Sequence, residues 1–151
     1  MKNYMLIIIT LGILGCNRQA TDKAQTREMY DAGGEQVITT FVNRKLQTIS
    51  ILYGNEAAKE CAIAGYTTHH HGEEFTLVVY KQANNKYWYG SYINGTPKSV
   101  ETVSTLPTEG KTDSLTYHLQ QGQAPTDSLG RQITTADRIR YILSHQPSVF
   151  P

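Results

Sequence analysis

The chain has 151 residues, 39% of them hydrophobic and 18% charged, with a formal net charge of +1. That length supports one compact domain and is too short for two. The charge balance gives no broad positive field for a phosphate backbone, so nucleic acid is excluded as the expected partner, and no block of like charge marks a disordered tail.

At the N-terminus, Lys2 precedes an apolar run from Met5 to Leu14. This is the pattern of a secretory signal peptide, and the run is about half the ~20 residues that a spanning helix needs. The next residues, Ile13-Leu14-Gly15-Cys16, resemble a bacterial lipobox, which implies cleavage after Gly15 and lipid on Cys16. The expected organisation is a signal peptide over 1–15, a lipidated polar tether over 16–34 and a domain over 35–151. Such a chain is held by its lipid to a membrane of the bacterial cell envelope, on the periplasmic side or at the cell surface. With Cys16 lipidated, Cys61 is the sole free thiol, so no internal disulfide forms.

Within the domain, alternation over Leu46–Tyr53 predicts a strand. Asn55 then serves as an N-cap, Glu56 as a first-turn acid, and Ala58, Cys61 and Ala62 line one face of a short helix that stops at Gly65. Cys61 among alanines reads as a buried thiol, with a reactive one as the alternative. Four strand-like segments follow over 74–82, 86–93, 98–105 and 114–121, with turn signals at Asn84-Asn85 and Asn94-Gly95. Loops are expected over 106–113 and 122–130. Thr134 to Asp137 matches a capping box with Asp in place of Glu, and Ile139, Ile142 and Leu143 fall at helical spacing, so a second helix runs to His145 before Pro147. The fold class is α+β: an antiparallel sheet of about five strands with a short helix before it and a helix after it.

Tyr80, Tyr87, Trp88, Tyr89 and Tyr92 are concentrated in one stretch. Tyr80, Trp88 and Tyr92 are candidate pocket aromatics for a flat ligand; the alternative is a role in the core and at its polar edge. In the run His69-His70-His71, successive side chains of an extended chain point to opposite faces, so His69 and His71 are the pair that could share a metal, with Glu73 and Glu74 as further ligands. An exposed polar loop explains the same residues. The sequence lacks a Gly-x-Ser-x-Gly elbow, a phosphate-cradling glycine loop, a His-Glu-x-x-His motif and paired-cysteine metal spacing.

The order Tyr53-Gly54-Asn55-Glu56-Ala57-Ala58, then the strand Glu74 to Gln82, then Lys86-Tyr87-Trp88-Tyr89-Gly90 and Pro97-Lys98-Ser99-Val100-Glu101, resembles the cytochrome P460-like domain family. The resemblance covers most of residues 46–151. It implies an antiparallel sheet with flanking helices, a homodimer, and haem held near the C-terminus through a C-x-x-C-H motif for oxidation of small nitrogen compounds. Here Tyr141-Ile142-Leu143-Ser144-His145 keeps the histidine and lacks both thiols, which excludes covalent attachment and argues against that activity. Noncovalent haem on His145 is one expectation; the other is that His145 favours a helix C-terminus. Two functions therefore stand side by side: a P460-like domain binding haem noncovalently or a small ligand, and a haem-free binding or structural lipoprotein without catalysis.

Overall fold

In the computed structural model, which describes residues 28–106, 114–123, 125–126 and 129–148, five strands form one antiparallel sheet in chain order. They are β1 (Gln36–Asn43), β2 (Thr48–Gly54), β3 (Glu74–Asn84), β4 (Tyr92–Leu106) and β5 (Ser114–Gly122). Helix α1 (Glu56–Ile63) joins β2 to β3, and α2 (Thr135–Ile142) follows β5. The architecture is mostly β and consistent with the α+β class. The expected signal peptide, Cys16 and the part of the expected tether up to residue 27 lie outside the described residues.

Several elements differ from the sequence expectations. β1 is an additional strand, paired to β2 through a turn in which the Asn43 side chain accepts the Leu46 N–H at 3.0 Å. The first helix does not precede the sheet, because two strands come before it. No separate strand forms over 86–93, whose last two residues, Tyr92 and Ile93, begin β4. Residues 85–91 are the β3–β4 connection, tied by an Asx turn from Tyr87 N–H to Asn85 Oδ1 at 2.9 Å and by Asn85 N–H to the Ser91 carbonyl at 2.9 Å. The expected turn at Asn94-Gly95 instead lies inside β4, where Asn94 pairs with Gln82, beside register shifts around Tyr80. Its glycine is absorbed by an irregular ladder: a Cβ there would meet the Lys81 carbonyl oxygen at 2.9 Å.

Both helices begin as their caps dictate. The Asn55 side chain accepts the Ala58 N–H, and the Thr134 side chain accepts the Asp137 N–H. α1 presents Ala58, Cys61 and Ala62 to the sheet, and the small faces let it approach closely: a Cβ on Gly54 would fall 3.0 Å from Ala58 Cβ. α2 ends at Ile142, one turn short of the expected His145.

The helix-covered core contains Ile38, Leu52, Phe75, Leu77, Val103, the three α1 residues and Ile142 of α2. A smaller cluster contains Val78, Tyr80 and Val100, packed with Ile51, Tyr53 and Tyr30. Tyr30 donates its N–H to the Tyr80 hydroxyl at 3.0 Å and its ring lies 5.6 Å from that of Tyr53. Packing therefore begins within the stretch expected to be tether, before Gly33-Gly34.

Register divides the helix-covered face into an apolar and a polar end. Gly54, Phe75 and Val103 align in one cross-strand row with Tyr117. The row of Leu52 and Leu77 then meets Glu101, and the next row runs Phe41, Ser50, Val79, Ser99 and Gly122. Polar residues thus replace the core toward one edge of the covered face, where the candidate site lies.

Candidate functional site

At this polar end, Glu101 points inward from β4 and is completely buried. An isolated carboxylate there would be strongly disfavoured, so its partners decide whether the fold tolerates it. Arg138 of α2, 8% exposed, meets it with two N–H groups: NH2 donates to Oε1 at 2.9 Å and Nε donates to Oε2. The Ser99 hydroxyl donates to Oε1 at 2.9 Å, and the Tyr117 hydroxyl donates to Oε2 at 3.0 Å. Burial, then the Glu101 charge, pushes the Tyr117 hydroxyl up to about 12, which keeps it a donor. The Arg138 guanidinium also stacks 4.5 Å from the Tyr141 ring centroid.

Above this network a groove of about 400 Å³ opens between the sheet and α2. Its floor is the row Ser50, Val79, Ser99 and Gly122, with Thr48 beside it; Arg138 and Tyr141 form one wall, and exposed Lys98 contributes a second cation. Thr48, Ser50 and Ser99 are each at most 6% exposed. Bidentate pairing uses two of the five guanidinium N–H donors and fixes the orientation of the others. The chemistry offered is donor-rich, with hydroxyls and a guanidinium around a small volume and exposed Lys98 among its lining residues. Gly122 is required where the groove closes: it has φ +90°, and a Cβ would lie 2.0 Å from the Lys98 carbonyl oxygen.

The predicted aromatic wall is not assembled. Tyr80 is 1% exposed in the smaller core cluster, whereas Trp88 and Tyr92 are 74% and 55% exposed, and none of the three lines the groove. The two-period pattern assigned faces to a strand; these aromatics belong instead to a hairpin tip and its flank.

His145 also stands apart from the lining residues. Its ring stacks on Phe41 at 3.8 Å between centroids, and Nδ1–H donates to the Tyr141 carbonyl at 2.8 Å, as a residue satisfying a helix C-terminus does. Tyr66 donates its hydroxyl to the His145 carbonyl. This tautomer leaves Nε2 as a lone-pair donor, yet one ring face is covered by Phe41, the Tyr141 ring packs edge-on, and the groove lies elsewhere. The residues around His145 do not fit a haem.

A second polar cluster is built at the junction of α1 and β3. Glu73, 1% exposed, accepts from His69 Nδ1 on Oε2 at 2.7 Å and from the His70 N–H on Oε1 at 2.7 Å. The Cys61 Sγ donates to the Thr68 carbonyl at 3.4 Å and lies 3.5 Å from the same His69 Nδ1. His71, the other member of the expected metal pair, is exposed and outside this cluster. Although a thiol, an imidazole and a carboxylate meet here, they do not form a nucleophilic triad. That relay needs the thiol and the acid on opposite ring nitrogens, and here both address Nδ1. Burial, with Glu73 nearby, pushes the Cys61 thiol up to about 12, so the thiolate is suppressed.

No family model matches the chain, and no curated protein matches it in sequence. Among the described residues, no helix is long and apolar enough to cross a membrane.

Sequence reasoning missed the Glu101–Arg138 pair. The available signals were Glu101 at an inward position of an alternating strand and Arg138 adjacent to the apolar positions Ile139 and Ile142. Each is ordinary alone, and only the docking of α2 against β5, the neighbour of β4, brings them together.

Proposed function

We propose that this chain is a haem-free binding module of P460-like type, held in the bacterial cell envelope by lipid on Cys16, whose groove takes a small ligand bearing oxygen acceptors such as a carboxylate. The carrying observation is Arg138, fixed in the groove wall by buried Glu101 so that its remaining donors are directed before a ligand arrives. Lys98 adds a mobile positive charge, and the hydroxyls of Thr48 and Ser50 supply further donors. Among the described groove residues, the hydroxyls with Arg138 and Lys98 suit retention of an acceptor-bearing ligand. The P460-like assignment rests on the motif order alone.

The test uses the full chain, purified in mild detergent and titrated with acetate, succinate and benzoate while backbone resonances are followed. Saturable shifts at Lys98, Ser99 and Gly122, lost in Lys98→Ala, are expected. Absence of saturation, or shifts located only elsewhere, overturns the groove assignment. Added haemin should give no His145-dependent Soret band; a band abolished by His145→Ala overturns the haem-free reading. Mass analysis of the N-terminus should find lipid on Cys16, and an unmodified cysteine would remove the anchor.

A further inference from the structure

The cluster at the α1–β3 junction has the composition of a transition-metal site. Cys61 Sγ, His69 Nδ1 and a Glu73 carboxylate oxygen all lie within 4.8 Å of one another. We propose that Cys61, His69 and Glu73 form a binding site for one borderline divalent transition metal of the zinc class, with water completing the coordination.

Four observations support the assignment, and none depends on the groove. Tetrahedral zinc with Zn–S of about 2.3 Å and Zn–N of about 2.0–2.1 Å separates sulfur from nitrogen by about 3.6 Å; Sγ and Nδ1 are 3.5 Å apart. The outer shell is in place, since the His70 N–H holds Glu73 Oε1 and leaves Oε2 directed at the centre. The backbone is fixed as well: Thr105 Oγ1 accepts the Glu73 N–H at 2.9 Å and donates to the His70 carbonyl at 2.6 Å. His69 has an 18% exposed side chain, which gives an ion an entry route, whereas Glu73 is fully covered.

Thiolate and imidazole favour zinc-class ions over magnesium or calcium. Binding requires modest movement, because the 2.7 Å hydrogen bond between Nδ1 and Oε2 must open to about 3.4 Å around an ion. The proton balance is defined. At pH 8 a neutral imidazole moves its proton from Nδ1 to Nε2, the Cys61 S–H bond breaks as the metal–sulfur bond forms, and one proton leaves to solvent.

The experiment uses cobalt(II) as a spectroscopic probe and zinc(II) as competitor, with the full chain carrying Cys16→Ser so that Cys61 is its only thiol. One equivalent of cobalt should produce a thiolate-to-metal charge-transfer band, release about one proton, and be displaced by zinc. Cys61→Ala should abolish the band. His69→Gln, at a partly exposed position that leaves the core intact, should weaken binding at least tenfold, since loss of an outer-shell partner alone costs about 10–100-fold. His71→Ala should bind as the parent does. The proposal is overturned if the parent, shown folded by circular dichroism, binds no cobalt, binds it without the band, or keeps its affinity in His69→Gln. Loss of binding through His71→Ala would likewise overturn it and return the metal to the exposed histidine run.

Discussion

Replacing Arg138 by Met isolates the interaction on which the groove depends. In the parent, the Glu101 carboxylate receives two hydrogen bonds from Arg138, one from Ser99 and one from Tyr117. Met fills much of the same space and removes the compensating charge, leaving a fully buried carboxylate with two neutral donors. Stranding one member of a buried ion pair costs about 3–5 kcal/mol. A domain of this size has a total stability of about 5–15 kcal/mol, so the variant should remain folded with a small margin. With a urea dependence of about 2 kcal/mol/M, the midpoint should fall by about 2 M, measured by far-ultraviolet circular dichroism. Adding Glu101→Gln removes the stranded charge, and the amide oxygen accepts from one of the two hydroxyls while its NH2 donates to the other, which turns to accept; the double variant should recover at least half of the loss. Binding should not recover with stability, since the directed guanidinium remains absent. A loss below about 1 kcal/mol in the single variant, the level of an exposed ion pair, or a double variant no more stable than the single, would refute the account of Glu101 as a buried charge held by Arg138.

Gly122→Ala should lower the urea midpoint more than Gly130→Ala. Both glycines have positive φ, but only at Gly122 would a Cβ collide with backbone, 2.0 Å from the Lys98 carbonyl oxygen; left-handed strain alone costs about 1–3 kcal/mol. Equal losses would mean that β4 and β5 adjust freely at the groove. Alkaline stability gives a separate check. Burial raises Cys61 from 9.0 to about 12, and Tyr66 and Tyr117 from 10.0 to about 12. Each folded-state group keeps its proton to higher pH than its unfolded counterpart, so their contribution is fully present below pH 9 and lost as pH rises toward about 12. Cys61→Ala should delay the onset of this decline toward pH 10, whereas a pH-stability curve unchanged by the substitution would contradict the buried-thiol environment.

The sequence itself determined the local elements whose signals are local. Asn55 and Thr134 announce the helix starts because a side-chain oxygen three residues ahead of a free backbone N–H caps it whatever the tertiary context. The small face of α1 announces close packing for a similar reason, and Cys61 was legible as a buried thiol. The strands expected over 74–82 and 114–121 form, and the structure extends them to Asn84 and Gly122. Where two signals competed, the local reading failed: Asn94-Gly95 marks a tight turn in isolation, yet the Asx turn at Asn85 and the pairing of Asn84 with Tyr92 closed the hairpin earlier. That choice moved Tyr87, Trp88 and Tyr89 from an expected strand to an exposed tip. Tertiary structure alone decided the two polar clusters. Glu101 and Arg138 are 37 residues apart, and their pairing depends on α2 packing against β5, beside β4. Cys61 acquires His69 and Glu73 only when the loop after α1 folds back onto the start of β3. A charge or thiol has no fixed chemical role until its neighbours set its solvation and hydrogen bonding, and those neighbours are chosen by packing between elements.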